Sequence, residues 1–245
     1  MLRNIKLTIE YDGLAFSGWQ SQPHRRTVQQ AIEEVLHRIT REKIHLIGAS
    51  RTDAGVHALG QVANFKIRHP ISCHQLILAL NGLLSSAVSI RKVEEVSPRF
   101  HSTKDAKQKI YHYRIWNSPH RSALSRDRAW HVYDPLNVGA MRRATQSLTG
   151  RHDFAAFRGS RSDTKTSVRT IRSICFSDQG KLLTIEFKGD GFLKYMVRNI
   201  VGTLVEVGRG RLKSADVGNV LRSKDRKKAG RTAPAYGLYL VSVRY

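Results

Sequence analysis

The apolar residues of this chain change period several times, and the order of those changes limits its fold more than any other feature. Ile5, Leu7 and Ile9 alternate with Lys6, Thr8 and Glu10, so residues 4–11 read as a strand with one buried face. From Val28 the spacing becomes helical: Val28, Ala31, Ile32, Val35, Leu36 and Ile39 recur every three or four residues and form one apolar stripe. Thr27, with Gln30 three residues on, predicts a capping box at the start of that helix. Residues 43–48 and 61–67 read as strands around a loop at 49–60, residues 73–83 as a second helix and 88–96 as a strand. The order is βαββαβ.

Residues 98–107 are polar and charged and read as a linker, after which the order begins again with a strand at 108–117. Asn137 is placed to cap a helix reaching about residue 148; strands follow at 169–176 and 182–188 around Asp178-Gln179-Gly180. A helical stripe at 192–207 and a strand at 236–243 complete the pattern. The expected fold is α+β, with two ferredoxin-like (RRM-like) βαββαβ domains at residues 1–103 and 104–245. Their sheets are expected to be mainly antiparallel, to be related by a pseudo-twofold, and to leave a central basic cleft between their open faces.

Charge then narrows the partner. The 245 residues hold 42 Lys and Arg against 19 Asp and Glu, a net charge of +23 spread along the chain rather than gathered in a tail. Such an excess suits a polyanion bound through phosphate neutralisation, with strong salt dependence. No apolar run approaches the roughly 20 residues of a membrane span, and the N-terminus passes straight into the strand pattern without an export signal, so a cytoplasmic protein is expected. Cys73 and Cys175 suggest neither a disulfide framework nor a zinc site, and the histidines show no metal-ligand spacing. Gly189-Asp190-Gly191 and Gly208-Arg209-Gly210 complete no nucleotide-binding pattern, so no cofactor, metal or nucleotide is expected.

The loop at 49–60 carries Arg51-Thr52-Asp53-Ala54-Gly55-Val56-His57-Ala58, one carboxylate beside an Arg among small residues. On chemistry alone this is either a tight turn, with Asp53 bonding backbone N–H groups and Gly55 at positive φ, or a reactive carboxylate. That octapeptide is similar to the active-site loop of the TruA family of tRNA pseudouridine synthases. Other segments resemble the same family in the same order: Tyr11-Asp12-Gly13, Phe16-Ser17-Gly18-Trp19-Gln20, Thr27-Val28-Gln29, Lys109-Ile110-Tyr111-His112-Tyr113, the run from Phe192 to Asn199, Thr232-Ala233-Pro234, and Gly237-Leu238-Tyr239-Leu240. The resemblance runs nearly end to end. It departs at Tyr236, a bulky residue just before Gly237, and in the unusually basic stretch 222–231.

The resemblance implies conversion of uridine to pseudouridine at positions 38 to 40 of the tRNA anticodon stem-loop, by a homodimer that needs no cofactor. It assigns Asp53 as the nucleophile. A carboxylate suits cleavage of the bond between ribose C1′ and uracil N1, whether it attacks C1′, adds to uracil C6 or removes the ribose 2′-proton. Tyr111 would stack on the target uracil and bring a phenol to its C5 proton, although the strand pattern by itself favours a core or cross-strand tyrosine like Tyr113. Arg198, among apolar helix neighbours, needs a partner if buried, and the resemblance pairs it with Asp53. Arg51 would hold a phosphate or fill the space of a flipped nucleotide, and Leu238 would wall the pocket. The nine basic residues Arg209, Arg211, Lys213, Arg222, Lys224, Arg226, Lys227, Lys228 and Arg231 form either a backbone grip on RNA or a solvated surface.

Two other functions compete. A non-catalytic RNA-binding protein with two RRM-like modules fits the charge, but the RRM signature is absent and it leaves the Asp53 loop unexplained. A metal-dependent nuclease needs several converging carboxylates, and Asp12, Asp105 and Asp190 would have to meet Asp53.

Overall fold

The computed structural model describes residues 1–160 and 164–245. In chain order they form β1 (Arg3–Tyr11), α1 (Val28–Thr40), β2 (Ile47–Gly48), β3 (His57–Ile67), α2 (Cys73–Leu83), β4 (Val88–Val96), β5 (Gln108–Asn117), β6 (Trp130–Val132), α3 (Val138–Ala144), β7 (Gly150–Asp153), β8 (Val168–Gln179), β9 (Leu182–Gly189), α4 (Met196–Gly208), α5 (Asp216–Ser223) and β10 (Leu238–Arg244). The fold is mixed α+β with mainly antiparallel sheets. It divides into two units, one of Met1–Lys107 with Tyr239–Tyr245 and one of Gln108–Leu238. No helix of the described residues is long and apolar enough to cross a membrane.

In the first unit β1 lies between β4 and β3, antiparallel to both. On the other edge of β3, β2 pairs with Asn64 and Ala63, and β10 runs parallel beside His57 and Ala58. The order β4-β1-β3-β2 is the ferredoxin-like one. Ile5, Leu7 and Ile9 are buried on one face of β1, and with Phe65, Ile90, Ile32, Leu36, Leu76 and Leu80 they make up a core. Each such side chain contributes about 1.5–3 kcal/mol when fully buried.

Several expected details change. The strand expected at 43–48 shrinks to Ile47–Gly48 because α1 captures the backbone before it: Leu46 N–H donates to Glu33 Oε1 at 2.8 Å, and Gln29 Nε2 donates to Leu46 O at 3.2 Å. Thr27 caps α1 by accepting from Gln30 N, but the Gln30 side chain turns to Glu34, so the box has one arm. The reciprocal box forms instead on α2, between Ser72 and Gln75. The stretch read as a linker is tied down at its centre. Ser102 is fully buried, its N–H donates to Asn64 Oδ1 and its hydroxyl to Ile47 O, while Asn4 Nδ2 donates to Ser97 O and Phe100 O. Tyr245 closes over it, donating to Ser102 O at 2.9 Å with its ring 4.8 Å from Phe100.

In the second unit the antiparallel order is β5-β9-β8-β7, with β6 parallel to the end of β5. Asn137 caps α3 by accepting from Ala140 N at 2.9 Å, and a 3-10 turn carries on to Leu148. The hairpin β8–β9 turns at Gly180, whose φ is +68°. The helix expected from residue 192 begins at Met196, because Tyr195 sits at φ +62°, a left-handed conformation that ends any helix running through it.

Candidate active site

Asp53 lies between β2 and β3, and β3 starts at His57, so the loop is shorter than the sequence suggests. Its entrance is fixed by Gln61, a fully buried side chain: Oε1 accepts from Ser50 N at 3.2 Å and Nε2 donates to Ser50 O at 2.7 Å. Thr52 is buried; its hydroxyl lies 2.7 Å from the Tyr11 hydroxyl, and its carbonyl accepts from Trp19 N at 3.1 Å. Beyond Asp53 the chain makes a tight turn, with Val56 N donating to Asp53 O at 3.1 Å and Gly55 at φ +78°. Positive φ at the third turn position is where glycine is needed. Asp53 itself is partly exposed, Ala54 and Arg51 are exposed, and the residues that hold them are buried. The turn's hydrogen bond uses the Asp53 backbone carbonyl, and the residue stays partly exposed.

The N-terminal motifs acquire a physical role that their sequence does not reveal. A Cβ on Gly13 would lie 2.1 Å from Val56 O, and one on Gly18, at φ +94°, 2.8 Å from Thr52 O and 3.3 Å from Asp53 C. Both segments thus lie backbone to backbone against the Asp53 loop, which only glycine permits. Trp19 occupies the space a side chain on Gly48 would need. His57, also buried, has Nδ1 3.2 Å from Gly13 N and 3.1 Å from Asp12 Oδ1. These contacts are alternatives: the first needs the nitrogen's lone pair and the second its proton. The His57 ring stacks on Tyr239 of β10 at 4.8 Å.

Within the second unit, Tyr111 and Tyr113 share one face of β5, as alternation requires. Tyr113 is the core residue: its hydroxyl donates to Pro234 O at 2.9 Å, burial pushes its phenol well above the usual range, and its ring fills the space a side chain on Gly237 would need. Tyr111 is buried more loosely, its ring and that of Phe192 forming a T-shaped pair with centroids 5.2 Å apart. Arg198 is half-buried, donates from Nε to Ala233 O at 2.8 Å, and holds its guanidinium 4.9 Å from the centre of the Tyr195 ring. Its neighbour Asn199 accepts from Thr232 and Arg226, so the start of α4 and Thr232-Ala233-Pro234 form one bonded unit. Leu238 is buried at the start of β10.

The dense basic stretch resolves into separate roles. Arg209 pairs with Asp134 and Glu206, Arg211 with Glu206, and Lys224 with Asp153. Arg222 donates to Asn219, and Arg231 lies over the Trp130 ring at 4.9 Å. Arg226 is structural: it donates to Ala229 O, Gly230 O, Asn199 Oδ1 and Thr232 Oγ1. Lys213, Lys227 and Lys228 are exposed. The short helix α5, with Val217, Val220 and Leu221 buried, is hidden within this charge pattern. Among the described residues no three His, Cys, Asp or Glu side chains are grouped so as to hold a metal ion.

Comparison with known proteins identifies the family. The family model described as tRNA pseudouridine synthase matches residues 7–103 and 144–245, spans that contain the Asp53 loop, α4 and β10. Over 244 residues, covering all of both chains, the sequence is 50% identical to tRNA pseudouridine synthase A of Acetivibrio thermocellus and 46% identical to that of Pelobacter propionicus. It is 43% identical, again over 244 residues, to the corresponding protein of Caldicellulosiruptor bescii. With a family match on both sides of the chain and relatives aligned from end to end, the protein belongs to the tRNA pseudouridine synthase family.

Proposed function

We propose that this protein isomerises uridine to pseudouridine at positions 38 to 40 of the tRNA anticodon stem-loop, with Asp53 as the nucleophile. The observation that carries the reading is the Asp53 loop: a partly exposed aspartate on a turn that Gln61, Thr52, Gly13 and Gly18 hold through buried contacts. Preorganising a reactive group in this way removes from the chemical step the cost of positioning it. The carboxylate bonds to C1′ as the C1′–N1 bond breaks, and uracil leaves with that electron pair. After the base rotates, C5 bonds to C1′ and displaces the carboxylate. The C5 proton is lost, N1 gains one, and atoms and electrons balance without an oxidant or reductant.

Tyr111 stacks on the base and its phenol assists the proton loss at C5; Arg198 supplies positive charge to the reacting carboxylate; Arg51 meets a phosphate or the vacated base position; Leu238 gives an apolar wall. The net charge of +23 supports recognition of RNA by backbone and shape, which suits a helix whose deep groove side chains cannot read. We take the working form to be a cytoplasmic homodimer.

The test is conversion of an unmodified tRNA transcript, without metal or nucleotide, by the wild type, Asp53→Asn and Asp53→Ala. Pseudouridine in the anticodon arm from the wild type alone is the expected result. Activity kept by both variants would overturn the assignment of Asp53, and tight tRNA binding with no product from the wild type would favour a binding protein.

A further inference from the structure

Tyr195 occupies a left-handed conformation, φ +62°, that asparagine or glycine would adopt with less strain. Its ring also imposes a requirement on a second position: a Cβ on Gly159 would lie 2.5 Å from Tyr195 Cδ2, so that residue has to lack a side chain. Gly159 N–H donates to Lys194 O at 2.8 Å, which fixes the backbone just before the strained residue. Two local concessions thus place one aromatic ring. What the ring meets is Arg198, whose guanidinium carbon lies 4.9 Å from its centroid, one turn along α4. The same guanidinium is held at Nε by Ala233 O at 2.8 Å, and the Arg198 carbonyl accepts in return from Ala233 N at 3.1 Å. The ring and the Ala233 carbonyl thus hold the guanidinium at two separate points. Lys194 lies 5.3 Å from the same ring but is exposed, and neither concession serves it.

We propose that Tyr195 is a positioning residue that sets the orientation of Arg198 for reaction, and that its strained backbone is retained for that purpose. This rests on reading Arg198 as a residue that acts in the reaction. The ring face is what matters, not the phenol or the bulk, so Tyr195→Leu removes the function while Tyr195→Phe keeps it.

The experiment measures kcat and KM for pseudouridine formation in a tRNA transcript by Tyr195→Leu, Tyr195→Phe, Arg198→Ala and the double variant Tyr195→Leu/Arg198→Ala, each checked for a cooperative thermal transition. Tyr195→Leu is expected to lower kcat by roughly 5- to 30-fold with KM within about twofold, the range a partly desolvated cation–π contact spans. Tyr195→Phe restores most of that loss. In the Arg198→Ala background, Tyr195→Leu has no further effect on kcat, because its whole influence passes through the missing guanidinium. If Tyr195→Leu does not fold, Tyr195→Asn, suited to the left-handed conformation, replaces it in the same cycle. An equal loss in both backgrounds, or unchanged kcat in the folded Tyr195→Leu or Tyr195→Asn variant, would overturn the proposal. Full activity in Arg198→Ala would overturn the reading of Arg198 first, and the proposal with it.

Discussion

Replacing Gly18 by alanine tests whether the N-terminal segment sets the position of Asp53. At φ +94° an alanine is strained by about 1–3 kcal/mol whatever surrounds it. The added Cβ would also lie 2.8 Å from Thr52 O, about 0.6 Å inside the 3.4 Å at which ordinary contact begins, with Ala54 N at 3.2 Å and Asp53 C at 3.3 Å. All three neighbours are backbone atoms, so no side chain can swing away, and the relief comes from a shift of the Gly18 segment against the Asp53 loop. A displacement near 1 Å at a reacting group costs on the order of 100-fold in rate, so a shift of about half that size is expected to lower kcat at least tenfold.

Gly180 provides the comparison. It has φ +68° at the hairpin tip, with nothing within 4 Å of the place an alanine methyl would take, so alanine there carries the backbone strain without the collision. Both variants should lose roughly 2–4 °C of Tm per kcal/mol of strain, as a chain of this size does. Only Gly18→Ala should lose rate. Single-turnover pseudouridine formation, paired with thermal unfolding, separates the two effects. If Gly18→Ala unfolds earlier but keeps its wild-type single-turnover rate, as expected of Gly180→Ala, the N-terminal segment does not position the carboxylate and the reasoning fails.

Arg226→Met should lower stability by roughly 2–4 kcal/mol, because it strips four acceptors of one partly buried donor, yet leave the salt dependence of tRNA binding unchanged; a shallower salt slope would instead make Arg226 a phosphate contact. Lys109 is held at about 8, below its ordinary 10.5, by burial first and by the charge of Arg169 second, with Asp190 opposing. Between pH 8 and 10.5 the unfolded chain therefore binds more protons at this residue than the folded one, so wild-type stability should rise across that window by about 3 kcal/mol relative to Lys109→Met. Denaturant titrations of both proteins at the two ends of the window check it, and parallel pH profiles would refute it.

How far the sequence can be read depends on whether a feature is periodic. β4, β5 and α2 begin and end where the change of apolar period predicts, because each buries one continuous face. β6 and β7 escape such a reading, since three or four residues are too few to show alternation, and α5 is obscured by the charges around its three buried apolar side chains. The start of α4 falls later than the apolar stripe predicts because nothing in the Phe192 to Tyr195 pattern signals a left-handed tyrosine.

The candidate site divides along the same line. Asp53 stands out because a long motif surrounds it, whereas the reason that motif extends to Gly13 and Gly18 lies in contacts across some forty residues of chain, between backbone atoms that carry no side-chain pattern. Gln61 looks like an ordinary polar position in a strand, and only its burial shows that it fixes both polar groups of the Ser50 backbone. Arg226 looks like one more surface charge and is instead a tie between α4 and the segment that contacts Arg198. Composition counts charges without showing which of them the fold consumes. In the stretch from Arg209 to Arg231, six of the nine basic side chains are engaged within the second unit, which leaves Lys213, Lys227 and Lys228 as the positions where RNA contact from this region is best sought.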